Sequence, residues 1–214
     1  MEWLGRDPSA ENILTELLIV LGLILLNALF ALSELAVVSA RRPRLQAMAN
    51  AGRPGAQSAL TLSANPGRFL SAVQIGITLI GIVNGAYSGE TFGEYASTYL
   101  QGLGLSEAMA NPIGFGAVIA AITYLSVIAG ELVPKTLALR NADGIACVVA
   151  PIMTAFASAA APVVWLLDAS TRLVFRLLGL SQESENKVTD EEIKTLIAEA
   201  ETAGVLESGE GELI

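Results

Sequence analysis

The sequence predicts an all-α fold: a polytopic bundle of membrane helices followed by an acidic cytoplasmic helical segment. Three observations predict it. Of the 214 residues, 53% are hydrophobic and the mean hydropathy is +0.58, as is typical of membrane proteins. Apolar runs of about 20 residues, the length that spans a bilayer, recur along the chain. The net charge of −9 is concentrated at the end, where residues 181–214 carry ten Asp or Glu and two Lys. We therefore assign residues 1–180 to a transmembrane domain with a juxtamembrane helix, and residues 181–214 to an acidic cytoplasmic linker.

Composition also excludes several classes of function. The chain has no histidine and one cysteine, Cys147. His-ligated zinc, Ser-His-Asp catalysis and Cys-based metal sites therefore need residues that this chain does not have. Nucleic-acid binding is not expected, because it requires a basic surface. With no paired intramembrane aspartates either, we do not expect an enzyme.

Three apolar runs, residues 17–38, 69–86 and 112–133, are each long enough to cross the membrane as a helix. A fourth run, residues 145–167, is interrupted by Pro151 and Pro162. It is either a kinked fourth span or a proline-broken juxtamembrane helix. We prefer the second interpretation, because a fourth crossing would place Arg172, Arg176 and the acidic tail outside the cell.

Loop charges predict the orientation. Residues 41–68 contain five Arg and no acidic residue, whereas residues 89–111 contain three Glu and no basic residue. By the positive-inside rule the first loop is cytoplasmic and the second is outside. The protein then spans the cell membrane (the inner or plasma membrane), with its N-terminus outside and its C-terminus in the cytoplasm. In the tail, Thr189 and Glu192 have capping-box spacing and start an amphipathic helix that ends at Gly204.

Polar residues share faces of the predicted spans. In the first span, Asn27 and Glu34 are seven residues apart and Ser33 is adjacent. In the second, small and polar residues form one stripe. Its members are Ser71, Gln74, Thr78, Gly81 and Gly85. Close helix packing alone would explain such a stripe, so it does not by itself indicate a binding site.

The segment GELVPK ends the third span and carries its carboxylate, Glu131. A charge inside a span costs several kcal/mol and indicates function unless it is paired. Lys135, four residues later, is a possible salt-bridge partner. Pro134 has no N–H and displaces the carbonyl of Gly130, which is thereby freed. With Asn84 and nearby serine hydroxyls, the available ligands are oxygens, which suit hard cations such as Mg²⁺, Ca²⁺ or Na⁺.

Four stretches resemble the transmembrane domain of the CorC/CNNM family of magnesium transporters. They are FALSELAVVSARRPRLQAM, NPGRFLSAVQIGITLIGIVNGAYSGE, TYLSVIAGELVPKTLALR and VTDEEIKTLIAEAETAGVLE. The resemblance implies a homodimer in the lipid bilayer, with three transmembrane helices and Na⁺-coupled Mg²⁺ export. It also implies cystathionine-β-synthase-type modules beyond Ile214, where ATP would bind. A membrane Mg²⁺ sensor or scaffold that regulates another transporter is the alternative function.

The resemblance also implies a ligand set for Mg²⁺. The implied ligands are Ser33, Ser71, Glu131 and a backbone carbonyl near Gly130, together with Asn84. In animal relatives the corresponding asparagine lies nearer the position of Gly81, which leaves the register of Asn84 open. The residues expected to support these ligands are Asn27, Glu34, Gln74, Gly81, Pro134 and Lys135.

Overall fold

The computed structural model describes residues 10–179, and within that range the chain is helical with no strand. The prediction of an all-α polytopic bundle is thus confirmed. The helices are α1 (Ala10–Ser39), α2 (Arg42–Asn50), α3 (Ala56–Ala64), α4 (Pro66–Gly102), α5 (Glu107–Val127), α6 (Val133–Arg140) and α7 (Ala142–Leu177), with a π-helical turn at Ile128–Leu132. Of the described residues, 10–166 belong to one compact unit and 167–179 to a second. The acidic linker predicted for residues 181–214, with its helix, lies outside the described residues.

The predicted membrane runs all lie within long helices. Helix α4 has 37 residues, about 55 Å at the α-helical rise and well beyond a hydrocarbon core of about 30 Å. Most of residues 89–111, predicted as a loop, is therefore helical: α4 continues to Gly102 and α5 begins at Glu107. The third run is divided into α5, the π-helical turn and α6. Helix α1 packs against α4, α6 and the π-helical turn, and α4 packs against α5.

The arginine-rich loop folds into the short helices α2 and α3. Gly52 and Gly55, both with positive φ, make the turn between them, a conformation that glycine adopts without strain. Leu45, Ala56 and Ala59 are fully buried in the core. The first half of α7 packs into the same core through a buried row of residues. These are Ala146, Cys147, Val149, Ala150 and Met153.

Helix α7 differs from the sequence expectation, because it is continuous through Pro151 and Pro162. A proline removes one backbone hydrogen bond, and a long, well-packed helix can lose one without ending. Phe156, between the two prolines, packs edge-on against Phe30 of α1, with ring centroids 4.7 Å apart. Four helical segments in residues 10–179 are long and apolar enough to cross a membrane, and α7 is one of them. The juxtamembrane assignment of α7 remains a prediction.

Site-directed labelling would test the orientation and the role of α7 together. Single cysteines replace Arg53, Glu94 or Arg176 in a Cys147→Ala background, since Cys147 is a free thiol. We expect a membrane-impermeant maleimide, added to intact cells, to label only the cysteine at 94. Labelling at 53 from outside would refute the orientation. Labelling at 176 from outside would show that α7 crosses the membrane.

Candidate cation site at the π-helical turn

The π-helical turn lies where Pro134 interrupts the backbone ladder. Pro134 occupies the first turn of α6, and the N–H of Val133 bonds to the carbonyl of Ile128, a five-residue step. Because Pro134 has no N–H to offer the carbonyl of Gly130, that oxygen needs another donor. Nδ2 of Asn27 on α1 provides it, at 3.1 Å. The carbonyl predicted to be freed from the helix is therefore held by a side chain.

Gly130 also allows α1 to come close. A Cβ at this position would lie 3.1 Å from Nδ2 of Asn27 and 3.4 Å from the backbone oxygen of Ile24. Gly130 is buried. A larger residue would push the π-helical turn away from α1, so the glycine fixes the distance between the two segments.

Two carboxylates share one lysine beside the turn. Nζ of Lys135 lies 2.8 Å from Oε1 of Glu131 and 3.3 Å from Oε2 of Glu34. The contact to Glu131 is a hydrogen bond, and the contact to Glu34 is an ion pair. The pairing of Glu131 with Lys135, which sequence spacing suggested, is thus present. Two acids and one base leave a formal charge of −1 on this group.

Glu131 also lines a cavity of about 190 Å³ between α1, α4 and α5. Its lining residues are Asn27, Ile77, Gly81, Asn84, Gly85, Ile122, Thr123, Ser126, Val127 and Glu131. The polar members offer one carboxylate, two amide oxygens and two hydroxyls. Such a set can bind a hard cation directly or through retained waters, and can accept hydrogen bonds from an ammonium group.

Four of the predicted residues meet at this cavity: Asn27, Gly81, Asn84 and Glu131. Asn84 is buried, and its Nδ2 donates to Oγ of Ser126 at 3.0 Å, so its side chain is held across the gap between α4 and α5. The amide N–H therefore points at α5. The oxygen of the same amide lies 3.4 Å from Oγ of Ser88, one turn along α4.

The other predicted ligands lie elsewhere. The hydroxyl of Ser33 is fully buried and donates to the carbonyl of Leu29 at 2.6 Å, one turn back in α1. Ser71 is half-buried, Gln74 is exposed, and neither is among the described lining residues. Gly130 and Pro134 are buried, and neither is among the described lining residues.

Sequence reasoning did not assign Thr123 and Ser126 to the site. Ser126 is five residues before Glu131, a step that in an unbroken α-helix would separate their side chains by more than one turn. The π-helical turn adds one residue between them, which brings both to the cavity. The available signal was a pair of hydroxyls three residues apart in the span that carries the carboxylate.

Comparison with known proteins agrees with this architecture. Residues 18–210 match the model of the cyclin M (CNNM) transmembrane N-terminal domain. The UPF0053 protein sll0260 of Synechocystis is 42% identical, over 96% of this chain and 46% of its own length. YhdT of Bacillus subtilis is 32% identical, over 90% of this chain and 42% of its own. A protein of Haemophilus influenzae named polyamine export protein is 28% identical, over 92% and 46%.

The chain spans less than half the length of these relatives. The family match, by contrast, covers nearly all of the chain and includes every described helix from Leu18 of α1 onward. The resemblance noted in the sequence is confirmed, and this multi-pass membrane protein belongs to the CNNM family through its transmembrane N-terminal domain.

Proposed function

We propose that this chain is the membrane domain of a cation transporter, and that its cargo is Mg²⁺, exported in exchange for Na⁺ across the cell membrane. The observation that carries the proposal is Glu131, a carboxylate that lines a cavity with four neutral polar side chains between three long apolar helices. An ionised group in such a span is costly, and carboxylates at these positions mark ion pathways. A transport role fits this arrangement better than catalysis does.

The cavity chemistry supports Mg²⁺ in a partly hydrated form. Within residues 10–179 no three Asp, Glu, His or Cys side chains converge on one point. A divalent ion at Glu131 would therefore depend on neutral oxygens for its remaining ligands. The cavity volume of about 190 Å³ is several times the roughly 10–15 Å³ that a single water requires. That leaves room for the waters that Mg²⁺ gives up reluctantly.

Export of organic amines is a second candidate, favoured by one contact. The butylammonium group of Lys135 already lies between Glu131 and Glu34, at 2.8 and 3.3 Å. A free alkylammonium could form the same contacts with these carboxylates. The Haemophilus relative named polyamine export protein makes this cargo worth a direct comparison with Mg²⁺.

Flux measurements on the purified chain in liposomes would separate these functions. We expect Mg²⁺ loaded inside to leave when an inward Na⁺ gradient is imposed, and Glu131→Ala to abolish that flux. Spermidine efflux without Mg²⁺ efflux would replace the proposed cargo. Mg²⁺ binding without flux of either cation would favour the sensor or scaffold. A Glu94→Ala variant is the matched control, because Glu94 is an exposed glutamate outside the Glu131 cavity.

The partners follow from the same proposal. We infer that the chain works as a homodimer in the bilayer, with no nucleic-acid partner. ATP would act on modules that the family resemblance implies beyond residue 214.

A further inference from the structure

Asn27 has one satisfied and one unsatisfied polar atom in its side chain. It is 9% exposed and lies on α1 opposite the π-helical turn. Its Nδ2 donates to the carbonyl of Gly130 at 3.1 Å. Its Oδ1 is buried, and no donor among the described residues reaches it. Buried amide oxygens in folded proteins nearly always have a partner, so this one requires an explanation.

Rotating the amide by half a turn would not supply that partner. The exchange would bring Oδ1 to about 3.1 Å from the carbonyl oxygen of Gly130, the distance at which Nδ2 now lies, and two acceptors repel each other there. The Gly130 carbonyl therefore fixes which end of the amide is the oxygen. That oxygen belongs to a residue lining the 190 Å³ cavity that also contains Glu131.

We propose that Oδ1 of Asn27 contacts the transported cation, as a ligand of a metal ion or as an acceptor for an ammonium group. This inference rests on the proposed function. It gives Asn27 two roles at once, because Nδ2 holds the residue directly before Glu131 while Oδ1 contacts the cargo. Asn27 on α1 and Glu131 on the π-helical turn then bind the cation from two sides. The Gly130 hydrogen bond keeps these two contacts in register.

Two substitutions separate contact from positioning. Asn27→Leu keeps the branched shape of the side chain and removes both polar atoms. Asn27→Asp keeps an oxygen acceptor and removes the donor to Gly130. Mg²⁺ and, separately, spermidine are titrated calorimetrically into the purified chain. For whichever of the two cations the wild type binds, we expect Asn27→Leu to weaken the affinity about tenfold, the effect of one lost neutral contact. Asn27→Asp should bind at least as tightly as the wild type.

The controls keep the result interpretable. Thr154→Val removes a side-chain hydrogen bond within α7, to the carbonyl of Ala150, away from the cavity, and should leave binding unchanged. If the Asn27→Asp chain does not fold, Asn27→Thr takes its place, because it keeps an oxygen without adding a charge. Thermal melting of each variant reports folding.

Each outcome decides the question. Weak binding in Asn27→Leu with retained binding in the acceptor variant supports the proposal. Equal weakening in both variants shows that Asn27 acts only by holding Gly130, and overturns it. Unchanged binding in Asn27→Leu, with loss in Glu131→Gln, overturns the inference while the proposed function stands. Unchanged binding in both Asn27→Leu and Glu131→Gln overturns the proposed site and the inference together. So does a wild-type chain that binds no cation.

Discussion

Glu131→Gln should lower the affinity of the purified chain for Mg²⁺ about a hundredfold. The substitution keeps the shape of the side chain and removes the one carboxylate among the described residues that line the 190 Å³ cavity. Losing a charge-assisted contact in a partly buried site costs roughly 2–3 kcal/mol, and 1.4 kcal/mol is a factor of ten. Calorimetric titration of wild type and variant measures the change directly.

Variants at Lys135, Ser33 and Ser71 serve as comparisons for Glu131→Gln. Lys135→Met removes the ammonium that now lies 2.8 Å from Glu131, so it should not weaken Mg²⁺ binding if Glu131 is a cation ligand. Ser33→Ala and Ser71→Ala should each cost less than Glu131→Gln, because neither serine is among the described residues that line the cavity.

A structural ion pair makes the opposite prediction. If Glu131 serves only to pair with Lys135, Glu131→Gln should leave Mg²⁺ affinity intact. The double variant with Lys135→Met should then restore any activity that Glu131→Gln had lost, because no buried charge would remain unpaired. Either result would end the assignment of Glu131 as a cargo ligand.

The sequence predicted those parts of the site that depend on a single segment. The apolar runs predicted the membrane helices, and the spacing of Glu131, Pro134 and Lys135 predicted both a freed carbonyl and a salt bridge. Each of these depends on residues within one or two turns of one another. Local spacing is sufficient there, because backbone geometry alone determines which groups meet.

Contacts between segments were harder to predict. Glu34 lies 101 positions before Lys135 in the sequence, and Asn27 lies 103 before Gly130. Helical periodicity places Asn27 on a face but does not say which helix that face meets. The π-helical turn has a local cause in Pro134. Whether Ser126 reaches the Glu131 cavity, however, depends on where in the helix the extra residue of the π-helical turn is inserted.

Helix boundaries were also hard to predict from the sequence. Pro151 and Pro162 indicated a break that α7 does not have. A proline costs a helix one hydrogen bond and a steric clash, which packing elsewhere can offset; near Pro151 the core around Cys147 and Met153 supplies that packing. The glutamates after the second apolar run similarly suggested a loop, although nothing in a short charged stretch prevents α4 from continuing into water.

Gly55→Ala should be the most destabilising small change in the described part of the chain. Gly55 has φ +76°, and a Cβ there would lie 1.8 Å from the carbonyl oxygen of Cys147 and 2.9 Å from its carbonyl carbon. Both atoms belong to the backbone of α7, so no side chain can rotate away. To relieve the overlap, α3 must move off α7 and open the core formed by Ala56, Ala59 and Cys147.

Gly52→Ala provides a matched control for this effect. Gly52 has φ +73° and nothing within 4 Å of its would-be Cβ, so alanine there costs only the left-handed conformation, about 1 kcal/mol. At Gly55 the overlap adds about 1–3 kcal/mol or more. For a chain of this size we expect the midpoint of thermal unfolding to fall by about 3 °C for Gly52→Ala and by about 10 °C for Gly55→Ala. Equal shifts would mean that α3 does not pack on α7 as described. They would refute the shared core between the arginine-rich segment and α7.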